Sequence, residues 1–310
     1  MASVLAFRKT AMATASAVVL GLASPMAFAA LTINPINTTA GIGSTLASAV
    51  QAPGSGISVV AGSEVYQGTN NANIQQSGTY SGLNLAPSTG STPTLTMADG
   101  IFLTSGSANI PLTNTTNQFN PVTPGSGSST ALGNLSASQG GTSTTNDANV
   151  LSFDFTVAAG INAVTAKFMF GTDEFPTQSV TDIFGFFVDG VNYAKFPSGE
   201  LISNTPGNPT NFILNPVGGG LYGIEYNGLT PVFTITALLN PALTTHSIMI
   251  GVADTSDSIF DSGVFVNSLN AGTVTGGCTG IGCNNNVPEP GSMALVSLGL
   301  LGLARMRRRS

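Results

Sequence analysis

The sequence predicts an all-β fold, an antiparallel β-sandwich or jelly roll built as a single domain with long Gly-, Ser- and Thr-rich loops. Three observations carry this. Apolar and polar residues alternate from Leu151 to Val157 and again from Val164 to Phe170, the period of two expected of half-buried strands. Asp189-Gly190 separates two apolar runs, and that pair suits a two-residue hairpin turn because both positions need positive φ. The 310 residues include 38 glycines and 17 prolines, which cut the chain into short runs, while helical periodicity stands out only at the two ends.

The segments follow in order. Residues 1–30 read as a secretory signal peptide: Arg8 and Lys9 precede an apolar stretch from Ala11 to Leu22, and Ala27-Phe28-Ala29 supplies a small-x-small cleavage site. That stretch is diluted by Ala and Ser and falls short of the ~20 apolar residues a bilayer requires, so it points to export through the Sec pathway and not to an anchor. Residues 31–270 form the expected β domain. Within it, Ile57 to Ala61 is a short apolar run, and Pro111 to Asn149 reads as a long loop or insertion. Strands are expected at 150–157, 164–170, Ile183 to Val188, Val191 to Phe196, Phe233 to Ala237, Ile248 to Val252 and around Val264 to Val266. Residues 271–286, rich in Gly and Asn, read as a flexible linker.

Charge narrows the function classes. Only 7% of residues are charged, against roughly 25% in ordinary globular proteins. Between residues 31 and 286 lie 13 of the 14 acidic residues but only Lys167 and Lys195 among the bases, a formal charge of −11. Such a body cannot displace counterions from a phosphate backbone, which excludes nucleic acid as a partner. A mean hydropathy of +0.30 argues against disorder.

Residues 287–310 carry a second tripartite signal: Pro288-Glu289-Pro290, an apolar run from Met293 to Ala304, and Arg305, Arg307, Arg308 and Arg309. A helix from Ser292 to Ala304 would be about 20 Å long, short for a ~30 Å hydrocarbon core, and the arginines would hold its end in the cytoplasm. It suits a transient transmembrane tether to the inner membrane. The three parts resemble the PEP-CTERM sorting signal, and the resemblance implies a Gram-negative bacterium, processing by exosortase and delivery to the cell surface. Cys278 and Cys283, just upstream, could close a small disulfide ring in an oxidising compartment; a metal pair would need further ligands that no nearby His or Cys provides.

Within the body, Asp173-Glu174, Asp182, and the trio Asp254, Asp257 and Asp261 form three acidic clusters with few cations to offset them. They either cap turns or hold a cation, and oxygen ligands in an extracellular protein suit calcium. His246 is the only imidazole and lacks a Gly-x-Ser-x-Gly elbow, so it reads as a turn or edge residue, not a catalyst. Carboxylate-based glycoside hydrolysis remains an alternative through Asp173, Glu174, Asp182, Glu200 and Glu225. With no Trp, sugar-stacking surfaces reduce to Tyr66, Tyr80, Tyr193, Tyr222 and Tyr226.

DGIFLTSG (99–106), DANVLSFDF (147–155), FMFGTDEFP (168–176), TDIFGFFVDG (181–190), EYNGLT (225–230) and ADTSDSIFDSGVFV (253–266) together resemble successive blocks of the choice-of-anchor L domain over about residues 40–270. In the third block Phe175 stands where the family pattern has Tyr. The resemblance implies a surface β domain without an assigned activity. The expectation is therefore a non-enzymatic surface or matrix protein associated with extracellular polysaccharide or surface proteins. The alternatives are a calcium-dependent carbohydrate- or protein-binding module and a secreted hydrolase.

Overall fold

The computed structural model describes residues 30–88, 90, 92–117, 119–176, 182–203, 209–274 and 279–281. The expected signal peptide, the Cys278–Cys283 pair, Pro288-Glu289-Pro290, the tail helix and the arginine cluster lie outside them. Among the described residues no helix is long and apolar enough to cross a membrane.

The chain is mostly β, as the alternating runs predict. In order come β1 (Thr32–Pro35), α1 (Ile42–Ala49), β2 (Ile57–Val59), β3 (Val65–Gln67), β4 (Ser77–Ser81), β5 (Leu83–Leu85), β6 (Leu95–Met97), β7 (Gly100–Thr104) and α2 (Thr130–Ala137). There follow β8 (Thr145–Val157), β9 (Ala163–Thr172), β10 (Ile183–Val188), β11 (Val191–Asn192), β12 (Ile202–Ser203), β13 (Ile213–Leu214) and β14 (Gly228–Leu229). The last are β15 (Phe233–Leu238), β16 (His246–Thr255), β17 (Ser262–Gly272) and β18 (Gly280–Ile281).

Two antiparallel sheets face each other. The first runs β1-β4-β7-β17-β9-β14-β13, with β15 also on β9 and β18 on β15; the second runs β11-β10-β16-β8-β2, with β12 on β10 and β3 on β8. Phe153, Phe155, Phe184, Phe186, Ile248 and Ile250 from the second sheet meet Phe168, Phe170, Val264, Val266 and Ile235 from the first in one apolar core. The first sheet is buried on its other face too, where Tyr80, Phe102, Met169 and Phe265 pack beneath the β5–β6 hairpin. This third layer explains why β7, Gly-Ile-Phe-Leu-Thr, is buried along its whole length instead of alternating.

The Asp189-Gly190 turn is as expected: both residues have positive φ, 50° and 80°, and Val188 pairs with Val191 across it. Strand β11 stops at Asn192, short of Phe196, because the Asn192 side chain itself accepts the N–H groups of Phe186 and Ala194 (3.1 and 3.2 Å).

Two expectations need correction. Helices are not confined to the chain ends, and the segment from Pro111 to Asn149 is not loop throughout, because α2 lies inside it. Ser129 Oγ caps that helix by accepting from Leu132 N–H (3.4 Å), and Leu132 is fully buried against the outer face of the second sheet. Eight residues are too few for a helix to persist alone; burying one leucine, worth about 1.5–3 kcal/mol, supplies what propensity does not. At the other end, β17 continues to Gly272, Val274 is buried and β18 pairs with β15, so strand pairing reaches Ile281 inside the segment expected as linker.

Candidate functional site

Six strands end together at one pole of the sandwich. The C-terminal ends of β7, β9 and β16 meet the N-terminal ends of β8, β10 and β17, as the pairs Thr104–Gly263, Thr172–Ser262, Ile183–Ala253 and Asn146–Asp254 record. That convergence gathers the three acidic clusters of the sequence. Asp173 and Glu174 follow β9, Asp182 precedes β10, Asp254 lies in the last turn of pairing of β16, and Asp261 precedes β17. All five are buried. Asp257, in the loop from β16 to β17, is half-buried at the mouth of the chamber and acts electrostatically on Glu174 and Asp182.

The hydrogen bonds inside the chamber are few. Ser262 Oγ (2.5 Å) and Thr255 N–H donate to Asp182, Asn227 N–H (3.1 Å) and Phe119 N–H to Asp173, Ser105 bonds Asp254 through its side chain, and Ser107 donates its N–H to Asp261. The carboxyl groups of Asp182 and Asp254 are in hydrogen-bond contact with each other. Six of the ten carboxyl oxygens have no hydrogen-bond partner: Asp173 Oδ2, both oxygens of Glu174, Asp182 Oδ1, Asp254 Oδ1 and Asp261 Oδ2. Native interiors seldom leave so many acceptors bare in one place. Gly106 belongs to the wall, since a side chain there would overlap the Asp261 carboxylate.

Burial first, and mutual repulsion second, push these acids upward. Asp173 and Glu174 are raised to about 9 and Asp182 and Asp261 to about 8, while Asp254 is held well above the usual carboxylate range. The body's two lysines, Lys167 and Lys195, are both exposed on the surface. His246 Nδ1 and Asp189 Oδ2 are hydrogen-bonded at 2.8 Å at the opposite end of β16, which ties down the hairpin turn. As the side chains stand, no group of three or more His, Cys, Asp or Glu among the described residues is placed so that it could hold a metal ion.

Sequence reasoning missed Asp147, which lies near the start of β8 at φ 47° and adds to the field on Asp254 and Asp261. Its signal was its place at the head of the block DANVLSFDF. Two candidate acids are held elsewhere: Glu225, whose charge still reaches Asp173, is bound by the loop at 113–116, and Glu200 bonds Ser198 and Asn211. Tyr80, Tyr222 and Tyr226 are buried and offer no sugar platform; Tyr226 lies where side chains at the paired Gly171 and Gly263 would stand.

A family model for the choice-of-anchor L domain matches residues 52–271, a span that contains every chamber residue. The chain belongs to the choice-of-anchor L domain family. A second model, the PEP-CTERM protein-sorting motif, matches residues 286–309. No curated protein and no solved structure matches the chain. The sorting motif marks this choice-of-anchor L protein as an exosortase-processed surface protein of a Gram-negative bacterium, and neither match is to an enzyme family.

On the outer face of the second sheet, away from the chamber, α2 walls a groove of about 860 Å³. Asn134, Ser152, Asp154, Asn192 and Lys195 provide polar groups around Phe187. None of the chamber carboxylates lines it.

Proposed function

We propose that this domain is a non-enzymatic structural or adhesive component of the cell surface or extracellular matrix that associates with exopolysaccharide. The precursor reaches exosortase after Sec export and a transient stay in the inner membrane through its tail. The observation that carries the reading is the separation of the acids from the open groove. Hydrolysis of a glycosidic bond needs a carboxyl pair that touches substrate, and Asp173, Glu174 and Asp182 are buried. The groove instead offers amides, hydroxyls, one carboxylate, one ammonium and an aromatic ring, the donor and acceptor mix that sugar hydroxyls need.

Purified full chain should cosediment with the extracellular polysaccharide of exosortase-bearing cells without releasing reducing ends. Phe187→Ala and Asn134→Ala should weaken retention about tenfold together, the equivalent of ~1.4 kcal/mol. Protein left in the supernatant, or reducing ends that accumulate with protein concentration, would defeat the reading. A calcium-dependent binding module is the second reading, favoured by the six partnerless carboxyl oxygens.

A further inference from the structure

We propose that the inter-sheet chamber is a calcium site in which Asp182 and Asp254 from the second sheet and Asp173, Glu174 and Asp261 from the first share one ion. Glu174 is fully buried with both oxygens bare, and Asp173 Oδ2, Asp182 Oδ1, Asp254 Oδ1 and Asp261 Oδ2 likewise have no donor to accept from. These orphaned oxygens come from both sheets and border the same pole, which a single multidentate ion fits and a single proton does not.

The chemistry of the donors selects the ion. Every candidate ligand is oxygen; the imidazole of His246 is at the far end of β16, which argues against zinc and the later transition metals. Magnesium is small and keeps several waters, whereas calcium takes six to eight protein oxygens in flexible geometry. The site is buried, acid-rich and bordered by carbonyls and hydroxyls such as those of Ser105 and Ser262, so calcium is the better match. No three of these side chains are placed to hold an ion as they stand, so the carboxyls must close in on it, and Glu174 has no hydrogen bond to break in doing so. The ion would then lock the two sheets together at the pole where the loop from β16 to β17 passes between them. Millimolar calcium outside the cell would load the site after export.

Cation binding and polysaccharide retention are measured separately, so either can fail alone. The full chain, stripped with EDTA and titrated with calcium chloride in a calorimeter, should take up one ion with Kd of about 10 μM. At 1 mM calcium the melting temperature should rise by about 5–10 °C, with a much smaller rise in 1 mM magnesium. Asp182→Asn and Asp254→Asn should melt at or above the wild-type temperature in EDTA, because each removes a buried acid, yet lose most of the calcium increment and at least tenfold in affinity. Should either fail to fold, Glu174→Gln, which has no protein partner to lose, gives the same reading. Asp99→Asn, on the surface, should respond as wild type. Equal melting curves in EDTA and calcium, or a calcium response that survives in the chamber variants, would overturn the proposal.

Discussion

Glu225 and Glu174 are both buried glutamates, and they differ in what surrounds the carboxylate. Glu225 accepts from Thr113 Oγ1 (2.5 Å), Thr115 N–H (3.1 Å), Thr115 Oγ1 (2.9 Å) and Thr116 N–H (2.8 Å). Burial alone would raise it, but these donors outweigh that and hold it below the usual carboxylate range. Glu174 receives no donor, and burial followed by the charges of Asp182, Asp257 and Asp173 raises it to about 9. Where this fold keeps an ionised carboxylate inside on its own, it wraps a loop of donors around it. In the chamber it gathers five carboxyls and supplies few donors, which leaves a place for something positive.

The contrast can be broken most forcefully with pH. In EDTA, the raised chamber acids bind protons in the folded chain that the unfolded chain has already released. Their stabilisation is complete below about pH 4 and is lost as pH climbs through 8 to 9, with a slope of up to about 1.4 kcal/mol per pH unit for each such group. Glu225 acts with the opposite sign, contributing above its unfolded value and losing that contribution as pH falls through its depressed folded value. Thermal melts of the chelated protein should therefore peak near pH 4–5 and decline steadily to pH 9. A flat profile from pH 5 to 9 would refute the distinction.

A smaller effect is expected at Glu225 itself. Glu225→Ala strips the acceptors from two backbone N–H groups and two hydroxyls, so it should cost about 2–4 kcal/mol in urea unfolding. Its donors leave Glu225 no place in a cation's shell, so most of the loss should be the same with and without calcium, apart from a small part carried by its charge on Asp173. A largely calcium-dependent loss would merge the two regions into one.

Smaller still is the expected cost of Gly106→Ala. Its added Cβ overlaps the Asp261 carboxylate, which must swing away at about 1–3 kcal/mol. Because the displaced group is a chamber oxygen, the same change should weaken calcium binding. Unaltered stability and unaltered binding would show that Asp261 has another place to go.

The strands were legible in the sequence where one face of a strand is apolar and the other is not. Phe153 and Phe155 alternate with Ser152 and Asp154, and the structure puts the phenylalanines in the core and Asp154 in the open. The rule failed for β7, whose two faces are both covered by elements distant in sequence. It failed for α2, an eight-residue helix with little apolar periodicity that buries one leucine, Leu132. The acids were visible as three clusters, but their meeting depends on which strand ends share a pole. Register across two sheets sets that, and spacing along the chain does not encode it. Asp147 stands alone in sequence and joins the others only through the pairing of β8 with β16. Glu225 looked like a possible catalytic acid because residue type is written in the sequence and the donor loop around it is not.

The pairing of β18 with β15 fixes the length of the leash on which the domain is processed. Ile281 is hydrogen-bonded into the sheet opposite Ile235, and the sorting motif begins at residue 286. Five residues at full stretch reach about 18 Å, close to the radius of gyration of a folded body of this size. Processing within the motif would then take place within a short reach of the strand pair formed by β15 and β18. Peeling β18 away would pay out chain from Val274 and lengthen the reach to about 43 Å. Two residues of strand pairing thus decide whether the cleavage site is presented tight under the domain or more than twice as far from it.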